Sequence, residues 1–310
     1  MTDHFKIPLV VWRVAAAVLN LALATPACSE SVLVVLSGDA EPYRQAAAAV
    51  SQSPGLGSHR FATVTLSELT SDDTSRVRDA GVLVGVGSQA ANWLKQHLDQ
   101  RQQLVFCMVA DAEGLGLDGH SRIRGVSTDV CLREQFKLIR EAMPTAHRAG
   151  MLYHSRNARS LRLYQKARAA TPEDIDLVAV DLAEHKTAGR AVESLLAGEI
   201  DLVWTLPDAA VYDAATTRML LLYAIRNAKP VFGFSPAFVR AGALLGVGVE
   251  PADQGRQAAE LVRDVLAGKQ EKPVLEPRYV TAVNLIVAEK LSIDLPRPLI
   301  ERAAHVFRAQ

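Results

Sequence analysis

The chain has 310 residues, and its 34 basic side chains balance 34 acidic ones. A formal net charge of zero gives no global pull toward DNA, RNA or an anionic lipid surface, so nucleic acid is not an expected partner. Hydrophobic residues make up 49% of the chain and aromatic ones only 5%. The cores should therefore be aliphatic, and the length allows two domains.

Residues 1–29 read as an export signal. His4, Lys6 and Arg13 give a basic start, and an apolar stretch runs from Val14 to Ala24. Thr25-Pro-Ala-Cys-Ser-Glu30 follows, with small residues suited to cleavage near Ala27 or Ser29. The apolar run is short of the roughly 20 residues a spanning helix needs. An uncleaved N-terminal anchor is the alternative. Cys28 raises a lipid anchor, though Thr25-Pro26-Ala27 fits that pattern poorly. The expected place of work is the periplasm. Cys107 and Cys131 would then meet an oxidising compartment. Their spacing leaves open whether they pair or stay as two separate thiols.

From there strands and helices alternate. Val32–Leu36, Phe61–Leu66, Gly81–Val86 and Leu104–Val109 are short apolar runs rich in β-branched residues. Such runs suit strands covered on both faces. Helical patterns separate them at 43–50, from Ser71 onward, and from Ser88 to about Leu98. A Gly-rich loop at 114–121 precedes a strand at 123–126 that leaves the first unit. The series then restarts. Strands are expected at 149–153, 177–180, 200–206 and 231–234, with a last apolar run at 242–249. Helices are expected at 132–143, 161–170, 187–197, 214–227 and 254–266. The fold class is α/β: two Rossmann-like lobes with parallel, doubly wound sheets. A crevice between such lobes is the natural ligand site.

In such sheets ligands sit at the carboxyl ends of the strands. Ser37, Gly38 and Asp39 follow the first strand, and Gly87, Ser88 and Gln89 follow the third. Ser88 opens a helix, where free N–H groups favour an anion such as a carboxylate. It can equally cap its own helix. In the second lobe Asp208 ends a strand after Pro207 and can pair with an ammonium. It too can act as a cap, although Asp213 offers a competing one. Ser235 closes the next strand, and Tyr153 ends the strand before His154 and can stack on a ligand or hydrogen-bond to it.

Several motifs occur in the order of a known family. They are Arg124-Gly-Val-Ser-Thr-Asp129, Arg148–Tyr153, Asp201–Asp208, Pro230–Ser235, Arg240–Leu244, Gln254–Glu260 and Val283–Pro296. Across roughly residues 125–296 the chain resembles the substrate-binding proteins of ABC transporters, a family that includes tryptophan- and tyrosine-binding lipoproteins. The resemblance implies the type I periplasmic binding protein fold, with crossovers near Gly125, Val249 and Pro273. It implies an N-terminal lobe of residues 30–125 plus 250–273 and a C-terminal lobe of 126–249 plus 274–310, whose tail packs on that second lobe. It carries ligand contact onto Gly87, Ser88, Gln89, Asp208 and Ser235. The implied partners are a small-molecule ligand, amino acid or similar carboxylate, and an ABC permease, with the chain acting as a monomer. A sensor that presents its bound form to a membrane kinase or cyclase is the alternative.

Enzyme signals are weak. Val84-Gly-Val-Gly-Ser88 lacks the full dinucleotide fingerprint, and no phosphate-loop Lys follows it. The eight His show no metal-binding spacing, and there is no Gly-x-Ser-x-Gly elbow. Neither catalysis, metal nor cofactor is expected. A periplasmic enzyme remains the less favoured reading.

Overall fold

The computed structural model describes residues 31–57, 59–69, 74–269 and 274–309. The proposed signal, with Cys28, and the expected helix start at Ser71 lie outside them. The first series is β1 (Ser31–Leu36), α1 (Glu41–Ser51), β2 (Arg60–Thr65), α2 (Thr74–Asp79), β3 (Val82–Val86), α3 (Ser88–Gln96), β4 (Gln103–Val109) and β5 (Ile123–Ser127). The second begins α4 (Leu132–Ala142), β6 (Arg148–Tyr153), α5 (Ala158–Ala170), β7 (Asp176–Asp181), α6 (Ala188–Ala197) and β8 (Leu202–Trp204). It continues α7 (Ala214–Arg226), β9 (Val231–Gly233), α8 (Pro236–Ala241), β10 (Leu245–Gly248) and α9 (Pro251–Leu266). The tail holds β11 (Val274–Leu275), β12 (Val280–Asn284), α10 (Leu285–Lys290), α11 (Arg297–Arg302) and β13 (His305–Phe307).

These strands form two sheets. One has the order β11-β5-β4-β3-β1-β2, and the other β13-β12-β10-β9-β8-β6-β7. Every pair in the first is parallel. The second is parallel except where β10 meets β12. The continuous apolar runs explain the layering. In β1, Val32, Val34 and Leu36 face a core built with α1 and α9, while Leu33 and Val35 face another built with α2 and α3. The second sheet divides in the same way. Met151, Trp204 and Phe232 pack toward α4 and α10, and Leu152, Val203 and Val231 toward α6, α7 and α8. Strands with two buried faces cannot alternate polar and apolar residues, so they read as unbroken hydrophobic runs.

The chain passes between sheets after Ser127, after Gly248 and after Leu275. The crossovers implied by the resemblance lie near Gly125, Val249 and Pro273, and the last passage comes two residues beyond the third of these. Val274 and Leu275 pair with Gly125 and Val126 of the first sheet, so the tail joins the second sheet only at Val280. Helix α9 lies against α1, and Gly255 permits the contact because a Cβ there would strike the Ala46 carbonyl. Fully buried Gln254 ties this region together. Its Oε1 accepts the Met108 N–H and its Nε2 donates to the Ser127 carbonyl, both at 3.0 Å. The strand expected over 200–206 is observed only as Leu202–Trp204; beyond it Thr205 directs both its N–H and its hydroxyl onto the Phe232 carbonyl.

Candidate functional site

The carboxyl ends of β1, β3 and β4 lie side by side on the first sheet. Ser37, just beyond β1, accepts the Ala90 N–H on its Oγ at 2.9 Å, and so caps α3 from a neighbouring strand. Gly87 precedes α3 with φ of 92°, a left-handed value that favours glycine. A Cβ there would strike Ser37 and the Tyr43 ring. The structure thus brings Ser37 and Gly87 together. Ser88 is the first helical residue, so the alternative in which it caps its own helix does not form. By helix geometry the N–H groups of Ser88 and Gln89 have no partner within α3, and the helix dipole favours an anion there. A Cβ on Gly38 would meet no atom within 4 Å. Asp39 is exposed and ion-paired with Arg44 at 2.8 Å, which draws it toward α1.

On the second sheet Asp208 is 4% exposed. Its Oδ1 accepts the Ala210 N–H at 2.9 Å, while its Oδ2 is buried with no hydrogen-bond partner. The cap of α7 is Asp213, which accepts the Thr216 N–H at 2.7 Å. That bond holds the Asp213 carboxyl below its usual range. Asp208 therefore does not cap α7; one of its oxygens caps the turn at 208–212 and the other is left over. The Tyr212 hydroxyl is also buried without a partner. Burial, and then the negative charge of Asp208, push this phenol far above its ordinary range.

Ser235 caps α8, a short helix absent from the sequence reading, by accepting the Phe238 N–H at 3.1 Å. The Tyr212 and Phe234 rings meet at 5.7 Å and join the Asp208 loop to the Ser235 loop. Tyr153 is placed differently. Its ring stacks on Tyr164 of α5 at 4.2 Å, so one face is taken inside its own lobe.

The two rims meet through side chains that sequence reasoning missed. Asp111, beyond β4, pairs with Arg162 of α5, and Glu113 pairs with Lys166. A Cβ on Gly114 would meet the ends of both the Arg162 and Asp111 side chains, so any side chain here displaces the pair. Arg159, in the first turn of α5, donates from Nη2 to the Pro207 carbonyl at 2.9 Å, next to Asp208. Asp129 lies in the first passage between sheets. Its Oδ1 is buried and unpartnered, and its Oδ2 takes the Asp111 N–H at 3.4 Å. A polar residue ending an apolar run was the signal that could have found Asp111. Arg159 and Arg162 carried none, since they look like any solvated helix face. Cys107 and Cys131 are both free, and burial pushes the Cys107 thiol up to about 12.

Two sheets joined by three passages, with carboxyl rims in contact, form the type I periplasmic binding protein fold. A family profile described as ABC transporter substrate binding protein matches residues 74–307, and the chain belongs to that family. Its substrate-binding proteins typically work outside the cytoplasm. Three solved structures show how far the fold likeness reaches. The ligand-free, open structure of CD0873, a substrate binding protein with adhesive properties from Clostridium difficile, is 16% identical, with a TM-score of 0.74 over 90% of this chain and 100% of that one. An ABC domain from Streptococcus pneumonia in complex with L-Trp is 16% identical, with a TM-score of 0.64 over 90% and 100%. A periplasmic ribose ABC transporter from Conexibacter woesei is 16% identical, with a TM-score of 0.57 over 86% and 95%. No curated protein matches the chain. Among the described residues, no helix is long and apolar enough to cross a membrane.

Proposed function

We propose that this chain is exported, captures a small solute between its lobes, and delivers it to an ABC permease. The observation that carries the reading is Asp208. It is a buried carboxylate with one unpartnered oxygen, set on a strand rim that ion pairs hold against the rim of the other sheet. A buried charge without a partner is costly, and a ligand cation would relieve that cost. The N–H groups of Ser88 and Gln89 supply the opposite polarity on the first lobe. An ammonium at Asp208 and a carboxylate at Ser88 describe an amino acid or a close relative. The bound L-Trp in one fold neighbour supports that class. A ligand touching both rims favours the closed arrangement by its differential affinity.

Thermal-shift screening of the mature protein against amino acids and other small metabolites tests the reading. A ligand at 100 times its Kd should add about 2.7 kcal/mol. Asp208→Ala should cost the best ligand about 2–5 kcal/mol of affinity, as expected for loss of one member of a buried charge pair. A ligand that binds Asp208→Ala as well as it binds the unaltered chain would contradict this site.

A further inference from the structure

Besides the ion pairs at Asp111 and Glu113, another joins the lobes at the second passage. Glu250 is the residue before α9, a helix that packs into the core of the first lobe. His305 opens β13, an outer strand of the second sheet. The imidazole Nε2 lies 2.7 Å from Glu250 Oε1, and the two side chains are 34% and 35% exposed. Both ends are anchored. The Glu250 carbonyl accepts the Gln254 N–H at 3.0 Å, and its carboxylate does not cap α9. His305 stands opposite Ala282 of β12, and the Ala304 N–H donates to the Thr281 carbonyl at 2.9 Å. The separation of the two side chains therefore follows the arrangement of the lobes. The pair is also remote from the other two in the second sheet: β13 is one outer strand, whereas α5 connects β6 to β7 at the other side.

Its chemistry is different as well. Arg, Lys and carboxylate side chains ordinarily keep their charge between about pH 5 and about pH 8. A histidine ordinarily changes its charge within that range. A protonated imidazole meets a carboxylate as an ion pair, while a neutral one donates only in the tautomer that carries its proton on Nε2. The charges on the surrounding elements are engaged elsewhere or face solvent. Arg240 of α8 lies over the Phe307 ring, 5.4 Å from its centroid. Asp253 and Arg256 of α9 pair with each other, and Arg302 of α11 pairs with Glu141. Glu289 and Lys290 of α10 and Arg308 after β13 are exposed.

We propose that Glu250 and His305 form a pH-responsive strut between the lobes. With His305 protonated, the strut holds α9 of the first lobe to the edge of the second sheet. As the proton leaves, the lobes turn more freely about their passages. The strut rests on the two-lobed fold alone and does not depend on which solute is captured.

Residual dipolar couplings from NMR of the ligand-free mature chain, recorded at about pH 5 and about pH 8, test this. At the lower pH the two lobes should align as one body, and at the higher pH their alignments should diverge. His305→Gln and Glu250→Gln should each give, at both pH values, the couplings that the unaltered chain gives at the higher one. The carboxylate of Glu250 caps nothing, so its variant keeps α9. The other histidines are present in every protein compared. Added salt should shrink the response, because the pair is only partly shielded. Couplings that are the same at both pH values in the unaltered chain, or a pH response that survives in either variant, would overturn the proposal. Failure of solute capture would leave these couplings unaffected.

Discussion

Asp208 and Asp129 are both carboxylates with a buried oxygen left over, and they differ in what surrounds them. Asp208 keeps one oxygen on the Ala210 N–H and stands beside a buried phenol. Asp129 sits at the lobe junction, where burial raises its pKa above the ordinary 3.8 while the Asp111 N–H and the charge of Arg159 pull it back. A raised carboxyl pKa means that the folded chain binds the proton more tightly than the unfolded one. The stability it contributes is full below the unfolded value and is lost as pH rises through the folded value. Asp129→Asn removes that loss. Chemical denaturation should therefore show the Asn variant gaining on the unaltered chain as pH rises from the ordinary carboxylate value of 3.8 toward neutrality. A gap that stays constant across this range would remove burial as the dominant influence on Asp129.

Among elements, the fully buried strands were the most legible. β1, β3 and β4 are continuous apolar runs, and their expected and observed bounds differ by a residue at most. The tail was not legible. β11 has two residues and β13 three, too short for any period to show; α8, earlier in the second series, holds only six. The site was legible only in part. Asp208 follows its strand in sequence and Tyr212 lies one turn on, but Arg159 reaches the adjoining Pro207 only by folding. Gln254 is a similar case. It looks like one polar residue in an amphipathic helix, yet it bonds the ends of β4 and β5 across two passages. Gln254→Ala should leave the Met108 N–H and the Ser127 carbonyl unpaired and cost about 1–3 kcal/mol in urea denaturation. An unchanged midpoint would show that solvent replaces both bonds.

For the molecule as a whole, the carboxyl rims of two sheets face each other, held at one end by three chain passages and bridged by two ion pairs. The Asp111–Arg162 pair is partly shielded and the Lys166–Glu113 pair more exposed, so salt should loosen the second first. Gly114→Val forces a side chain into the first pair. It should change the scattering radius of the ligand-free protein while leaving its thermal midpoint within a few degrees. A radius equal to that of the unaltered chain would mean that the pair does not hold the lobes.

Lobe closure on a solute is most directly read by small-angle X-ray scattering of the mature protein, with and without a saturating ligand found by thermal shift. The radius of gyration should fall when ligand is added to the unaltered chain and stay fixed in Asp208→Ala at the same ligand concentration. Saturation of the unaltered chain with no change in radius would contradict a grip that spans both rims.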